Sequence, residues 1–178
     1  MTSRQFATAL AVTVLAASAH AALKPGDAAP EFRTTAALAG HAFEFDLAQA
    51  LKQGPVVLYF FPKAFTQGCT IEAHAFAEAS PKFAALGARV IGISRDDVDT
   101  IKRFSQEACR DQFAVGSDPG GKTVKAYDAA SVIPGYASRI SYVIAQDGTV
   151  RFAHQGSDPL QHVEKTLEAV HRLVGAHR

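Results

Sequence analysis

Cys69 is the residue of this chain best placed to do chemistry. It closes Pro62-Lys63-Ala64-Phe65-Thr66-Gln67-Gly68-Cys69, a turn between an apolar run and a helical pattern. The run Val56-Val57-Leu58-Tyr59-Phe60-Phe61 is short, unbroken and rich in β-branched and aromatic residues, so it reads as a buried strand that Pro62 ends. From there Ile71, Ala75, Phe76, Ala79 and Phe83 recur at helical spacing, which places Cys69 in the first turn of a helix. Amide N–H groups in a first turn lack partners, and their partial positive charge favours a thiolate, the nucleophilic form of cysteine. Cys109 is the other of the 2 cysteines. A structural Cys69–Cys109 bridge is the alternative to a reactive thiol; closing that loop of roughly 40 residues contributes about 4 kcal/mol in the chain-entropy picture.

The elements around this turn alternate in type. Lys24 to Pro30 is a turn-rich lead-in, Ala42 to Phe45 beside Gly40 makes a short hairpin arm, and Leu47 to Leu51 makes one or two helical turns before Gln53-Gly54-Pro55. Within the Cys69 helix, Ser80-Pro81 predicts a kink or restart with Ser80 as cap, and Gly87 closes the helix. Arg89 to Ser94 is a second buried strand. Asp96 or Asp97 then caps a helix that turns Val98, Ile101, Phe104 and Ala108 inward and ends at Cys109. A short strand at Phe113 to Gly116 and a short helix at Lys122 to Tyr127 follow. Asp147-Gly148 joins Ile140–Ala145 to Thr149–His154 as an antiparallel hairpin, and Asp158-Pro159 opens a last helix. The pattern is α/β: one domain with a central mixed β-sheet flanked by helices.

The first residues read as a secretion signal. Arg4 supplies a positive start, Phe6 to Ala17 is an apolar run too short to span a bilayer, and Ala19-His20-Ala21 has the small-x-small cleavage pattern. Residues 1–21 are therefore expected to be removed, leaving 22–178, or 178 − 21 = 157 residues, as the domain. No cysteine follows the apolar run and no twin arginine precedes it, which points to ordinary export to the periplasm or beyond. Loss of Arg4 takes the formal net charge from +1 to zero, which argues against nucleic acid and acidic membranes as partners.

A cysteine on the helix after a central strand resembles the thioredoxin fold, yet position 72 is Glu72, so the thioredoxin Cys-x-x-Cys pair is missing. Pro62, Thr66 and Cys69 match instead the peroxiredoxin signature Pro-x-x-x-Thr-x-x-Cys, and Arg139 in Ser138-Arg139-Ile140-Ser141-Tyr142 looks like that family's active-site arginine. The chain most resembles the bacterioferritin-comigratory-protein or PrxQ group of this alkyl hydroperoxide reductase/thiol-specific antioxidant superfamily, through Phe61-Pro62-Lys63-Ala64-Phe65-Thr66 and Cys69-Thr70-Ile71-Glu72. Many members resolve with a cysteine five positions beyond the first; His74 stands there in this sequence.

The resemblance implies a thioredoxin-like fold and a peroxidase for hydrogen peroxide and organic hydroperoxides. Cys69 would attack the peroxide, Arg139 orient it and stabilise developing charge, Thr66 exchange hydrogen bonds with it, and Pro62 exclude water. Glu72, one turn beyond Cys69, would hold Arg139 by a bidentate contact. Cys109 would resolve the sulfenic acid as an intramolecular disulfide after local unwinding, and a thioredoxin-like dithiol protein would reduce it. A one-cysteine cycle with an external thiol is the alternative. No haem, metal or other cofactor is implied, and a monomer is the default.

Two rival readings are weaker. Gly116-Ser117-Asp118-Pro119-Gly120-Gly121-Lys122-Thr123 satisfies the phosphate-loop pattern, but Pro119 lacks an N–H and Asp118 would set negative charge beside phosphates; a turn is the plainer reading. A metal-binding module would have to use His41, His74, His154, His162, His171 and His177, which show no paired ligand spacing and read mostly as solvated.

Overall fold

The computed structural model describes residues 22–176, so the expected signal at 1–21 lies outside them. The elements run β1 (Arg33–Leu38), β2 (His41–Asp46), α1 (Leu47–Leu51), β3 (Val56–Phe60), α2 (Gln67–Ala85), β4 (Arg89–Ser94), α3 (Val98–Glu107), β5 (Ala114–Ser117), α4 (Lys122–Ala126), β6 (Ile140–Ile144), β7 (Val150–Gln155) and α5 (Pro159–Gly175). The strands form one 7-stranded sheet in the order β2-β1-β5-β4-β3-β6-β7. β3, β4 and β5 are parallel neighbours, while β6 and β7 continue antiparallel from β3, and β1 and β2 antiparallel from β5.

Every residue of β3 is buried because both faces of the sheet are covered. Val57, Tyr59 and Phe61 point into one core with Phe76 and Phe83 of α2, Ile101 and Phe104 of α3 and Val170 of α5. Val56, Leu58 and Phe60 point into the other, with Leu47 of α1, Val124 of α4 and Tyr127. The crossovers β3–α2–β4 and β4–α3–β5 step the same way along the sheet, and right-handed crossovers then put both helices on one face. Cys69 and Cys109 consequently lie in the same core. Gly92 of β4 is needed there, since a Cβ would come within 2.6 Å of the Tyr59 ring.

Three expectations change. α2 runs unbroken through Ser80-Pro81: the Ser80 hydroxyl donates back to the Phe76 carbonyl at 2.9 Å instead of capping a new helix, and buried Ala79 and Phe83 hold the last turns. Ile71 is 41% exposed, on the outer side of α2. Val98 of α3, expected to face inward, is only half-buried; of the two candidate caps it is Asp97 that serves, accepting from the Thr100 amide at 2.8 Å. The turn expected at Ser117-Asp118-Pro119-Gly120 is present. Its Asp118 carboxylate accepts from the amides of Lys122 at 2.9 Å and Val124 at 2.8 Å, where a phosphate would have to sit.

Candidate active site

The loop from Pro62 to Thr66 leaves β3 and delivers the chain into α2. Asp96, buried just beyond β4, fixes its course: its carboxylate accepts from the Ala64 amide at 2.8 Å and the Ser94 hydroxyl at 2.8 Å, and meets Lys63 Nζ at 2.5 Å. The aspartate raises the Lys63 ammonium above its usual range, chiefly through that hydrogen bond. Phe65 takes a left-handed φ of 63°, which turns its ring onto α3, edge-on to Phe104 and beneath the Arg103 guanidinium.

Thr66 occupies the N-cap position of α2 in extended conformation, yet its hydroxyl makes no capping bond; it donates to the Lys63 carbonyl at 3.0 Å. With that hydrogen committed, the oxygen faces outward as an acceptor. Cys69, in the first turn, is 1% exposed. Its sulfur accepts from Arg139 Nη2 at 3.4 Å. Gly68 leaves room for the guanidinium, since a Cβ would lie 3.2 Å from Nη2.

Arg139 enters from the residue before β6. Its other terminal nitrogen, Nη1, bonds Glu72 Oε2, so one guanidinium bridges carboxylate and sulfur. The expected two-pronged contact is therefore single: Glu72 Oε1 has no hydrogen-bond partner. The guanidinium has its second edge turned to Cys69 instead. Glu72 is fully buried, and burial pushes its carboxyl up to about 8 against the opposing pull of Arg139. Pro62 and Arg139 line a groove of about 520 Å³ with Ile133, Tyr136 and Gly156.

The structure thus brings Pro62, Thr66, Cys69, Glu72 and Arg139 together. Cys109 is a free thiol, as is Cys69, which removes the structural bridge from this state. It is buried just past α3, and burial, then Asp111, pushes its thiol well above the ordinary range.

Sequence reasoning missed Asp96 as a clamp and His162 altogether. His162 is fully buried on α5, not solvated; its Nδ1 lies 2.8 Å from Ser141 Oγ and its Nε2 3.1 Å from the Gly156 carbonyl. Only its place among Val163, Thr166 and Val170 on the inward face of α5 signalled this.

A family model described as AhpC/TSA matches residues 25–153. The chain belongs to the AhpC/TSA family. Its similarity to peroxiredoxin Q is direct: the chloroplastic protein of Suaeda salsa is 37% identical over 127 residues, covering 68% of this chain and 58% of that protein. The putative chloroplastic peroxiredoxin Q of Oryza sativa subsp. indica is 35% identical over 153 residues, 83% of this chain and 67% of the relative. Among solved structures, peroxidoxin BcpB of Mycobacterium tuberculosis superposes with a TM-score of 0.78 at 28% identity, covering 85% of this chain and 98% of that one. The family's thioredoxin-like fold is the fold found here. Among the described residues no helix is long and apolar enough to cross a membrane.

Proposed function

We propose that this chain is a thiol peroxidase of the peroxiredoxin Q type, in which Cys69 reduces hydrogen peroxide and organic hydroperoxides. The carrying observation is Arg139, held by buried Glu72 on one side and 3.4 Å from the Cys69 sulfur on the other. A guanidinium so fixed holds the peroxide against the thiolate and stabilises the charge that builds on the departing oxygen. The Thr66 oxygen accepts the peroxide O–H, which aims the second peroxide oxygen along the S–O line. Pro62 walls the groove that borders the Arg139 guanidinium and excludes water from it. The thiolate forms an S–O bond as the O–O bond breaks; the products are Cys69 sulfenic acid and, after proton uptake, water or an alcohol.

Cys109 is the proposed resolving thiol. Its sulfur attacks the sulfenic acid and releases water, giving a Cys69–Cys109 disulfide that a thioredoxin-like dithiol protein reduces. Because the Cys109 thiol is buried and held protonated, the end of α3 must unwind before it reacts. That burial also supports the second reading, a one-cysteine cycle with an external resolver. Residues 1–21 are proposed as a cleaved signal and 22–178 as a periplasmic monomer, on the Arg4, Phe6–Ala17 and Ala19-His20-Ala21 pattern.

Intact mass after one equivalent of hydrogen peroxide, with thiols trapped under denaturing conditions, tests the cycle. Loss of two hydrogens in the reduced protein, and a Cys69 sulfenic adduct in Cys109→Ser, are expected. A sulfenic acid persisting in the unaltered protein makes Cys109 a bystander; no reaction faster than free cysteine overturns the peroxidase reading.

A further inference from the structure

The reaction centre holds two groups able to carry negative charge, Cys69 and Glu72, and one cation. Both acids are buried, and Arg139, 11% exposed, touches each through a different nitrogen. A second anion buried under a single guanidinium has no countercharge, and such a charge costs several kcal/mol.

His162 does not supply the missing cation. The Gly156 carbonyl can only accept, so the ring carries its hydrogen on Nε2, and Nδ1 accepts from the Ser141 hydroxyl. Glu72 Oε1, 4.0 Å from that Nδ1, receives no hydrogen from it and stays without a partner. Burial pushes His162 down to about 4, so it is neutral at physiological pH, and His154, whose ring lies tilted against it at 4.6 Å, is lowered as well. From β3 the Tyr59 hydroxyl faces the same cluster, also without a partner. Burial keeps Tyr59 and Cys109 protonated.

We propose that Cys69 and Glu72 share one proton, Glu72 carrying it whenever Cys69 is a thiolate. The inference rests on Cys69 being the peroxide-reactive sulfur. The Cys69 S–H bond breaks as an O–H bond forms on Glu72, so the pair holds one negative charge before and after, matched by Arg139. When the thiolate attacks, the O–O bond breaks, the departing oxygen takes a proton from solvent, and Cys69 becomes a neutral sulfenic acid. Glu72, now the sole anion candidate beside Arg139, returns its proton to solvent. The sum is thiol plus hydroperoxide giving sulfenic acid plus alcohol. Glu72 is thus a positioning residue that also stores the proton which ionisation of Cys69 displaces. An orphaned Oε1 suits this role, because a carboxylic acid tolerates an unpartnered oxygen in an apolar site better than a carboxylate does.

The test is an infrared spectrum of reduced full-length protein at the lowest pH where thiolate absorbance is present. A protonated-carboxyl stretch is expected there. Alkylation of Cys69 by iodoacetamide, or Cys69→Ser, should make the band vanish at a lower pH, because no thiolate then opposes ionisation of Glu72, and Glu72→Gln should lack the band altogether. Thiolate absorbance without the band overturns the proposal, and so does a band whose pH midpoint alkylation leaves unmoved, which would make Glu72 an acid protonated by burial alone. The alkylation arm needs no variant. No arm uses peroxide, so a missing band leaves the peroxidase reading standing, while an intact band without peroxide reactivity sinks that reading alone.

Discussion

Phe65 stands edge-on to Phe104 with ring centroids 5.2 Å apart, which latches the loop before Cys69 to the helix that ends at Cys109. Phe104 also stacks on Phe61 at 5.2 Å, and its carbonyl accepts from the Cys109 amide at 3.0 Å. One aromatic residue therefore ties both thiol-bearing segments to the end of β3.

Phe65→Ala is expected to speed formation of the Cys69–Cys109 disulfide by up to about tenfold. An aromatic pair contributes about 0.5–1.5 kcal/mol beyond its area, and about 1.4 kcal/mol is a factor of ten in rate. Rapid quench with thiol trapping and mass readout measures it. An unchanged or slower rate means that the latch does not limit unwinding.

Arg139→Lys keeps the charge but not the fork, so it cannot touch Glu72 and Cys69 through separate nitrogens. The second-order rate of Cys69 oxidation should fall about 10²–10³-fold, the range for losing one preorganised donor to developing charge. A loss below fivefold would mean that charge alone suffices.

Asp96→Asn removes the Lys63 ion pair and disturbs the hydrogen bond that anchors Ala64, at a cost of about 1–3 kcal/mol. The thermal midpoint should fall accordingly. Lys63→Ala should cost much less, about 0–1 kcal/mol, because the lysine side chain is 44% exposed. Equal losses would assign the clamp to the ion pair and not to the backbone.

Stability should carry the imprint of Glu72. Its carboxyl is raised from 4.5 to about 8 in the fold, so between those values the unfolded chain binds fewer protons than the native one. The contribution is full below pH 4.5 and is lost as pH rises through about 8. His162, lowered from 6.5 to about 4, acts in the opposite sense below pH 6.5. In Cys69→Ser, where no thiolate shares the proton, thermal midpoints from pH 6.5 to 8 therefore isolate the carboxyl. Cys69→Ser should lose stability across that window more steeply than the Cys69→Ser, Glu72→Gln double variant, and parallel curves would reject the assignment.

Much of this was legible in the residues. β3 announces itself as an apolar run because it is covered on both faces, and Asp158-Pro159 and Asp147-Gly148 mark boundaries through local backbone chemistry. The continuity of α2 was not legible, since Pro81 breaks a helix locally and only burial of Ala79 and Phe83 restores it. Asp96 and Asp97 looked alike as caps; which one turned inward depended on Lys63 and Ala64, far away in sequence. His162 was hidden for the same reason, its partners Ser141 and Gly156 being supplied by β6 and the end of β7.

The repeated crossover direction that put α2 and α3 on one face has a consequence for the oxidised chain. A bond from Cys69 to Cys109 would close a covalent ring of about 40 residues that includes β4, the middle strand of the sheet. The ring would be buckled at two helix ends and held taut by the stiffest part of the molecule. Opening and closing the buckle then leaves the sheet untouched, and each turnover begins from the same frame.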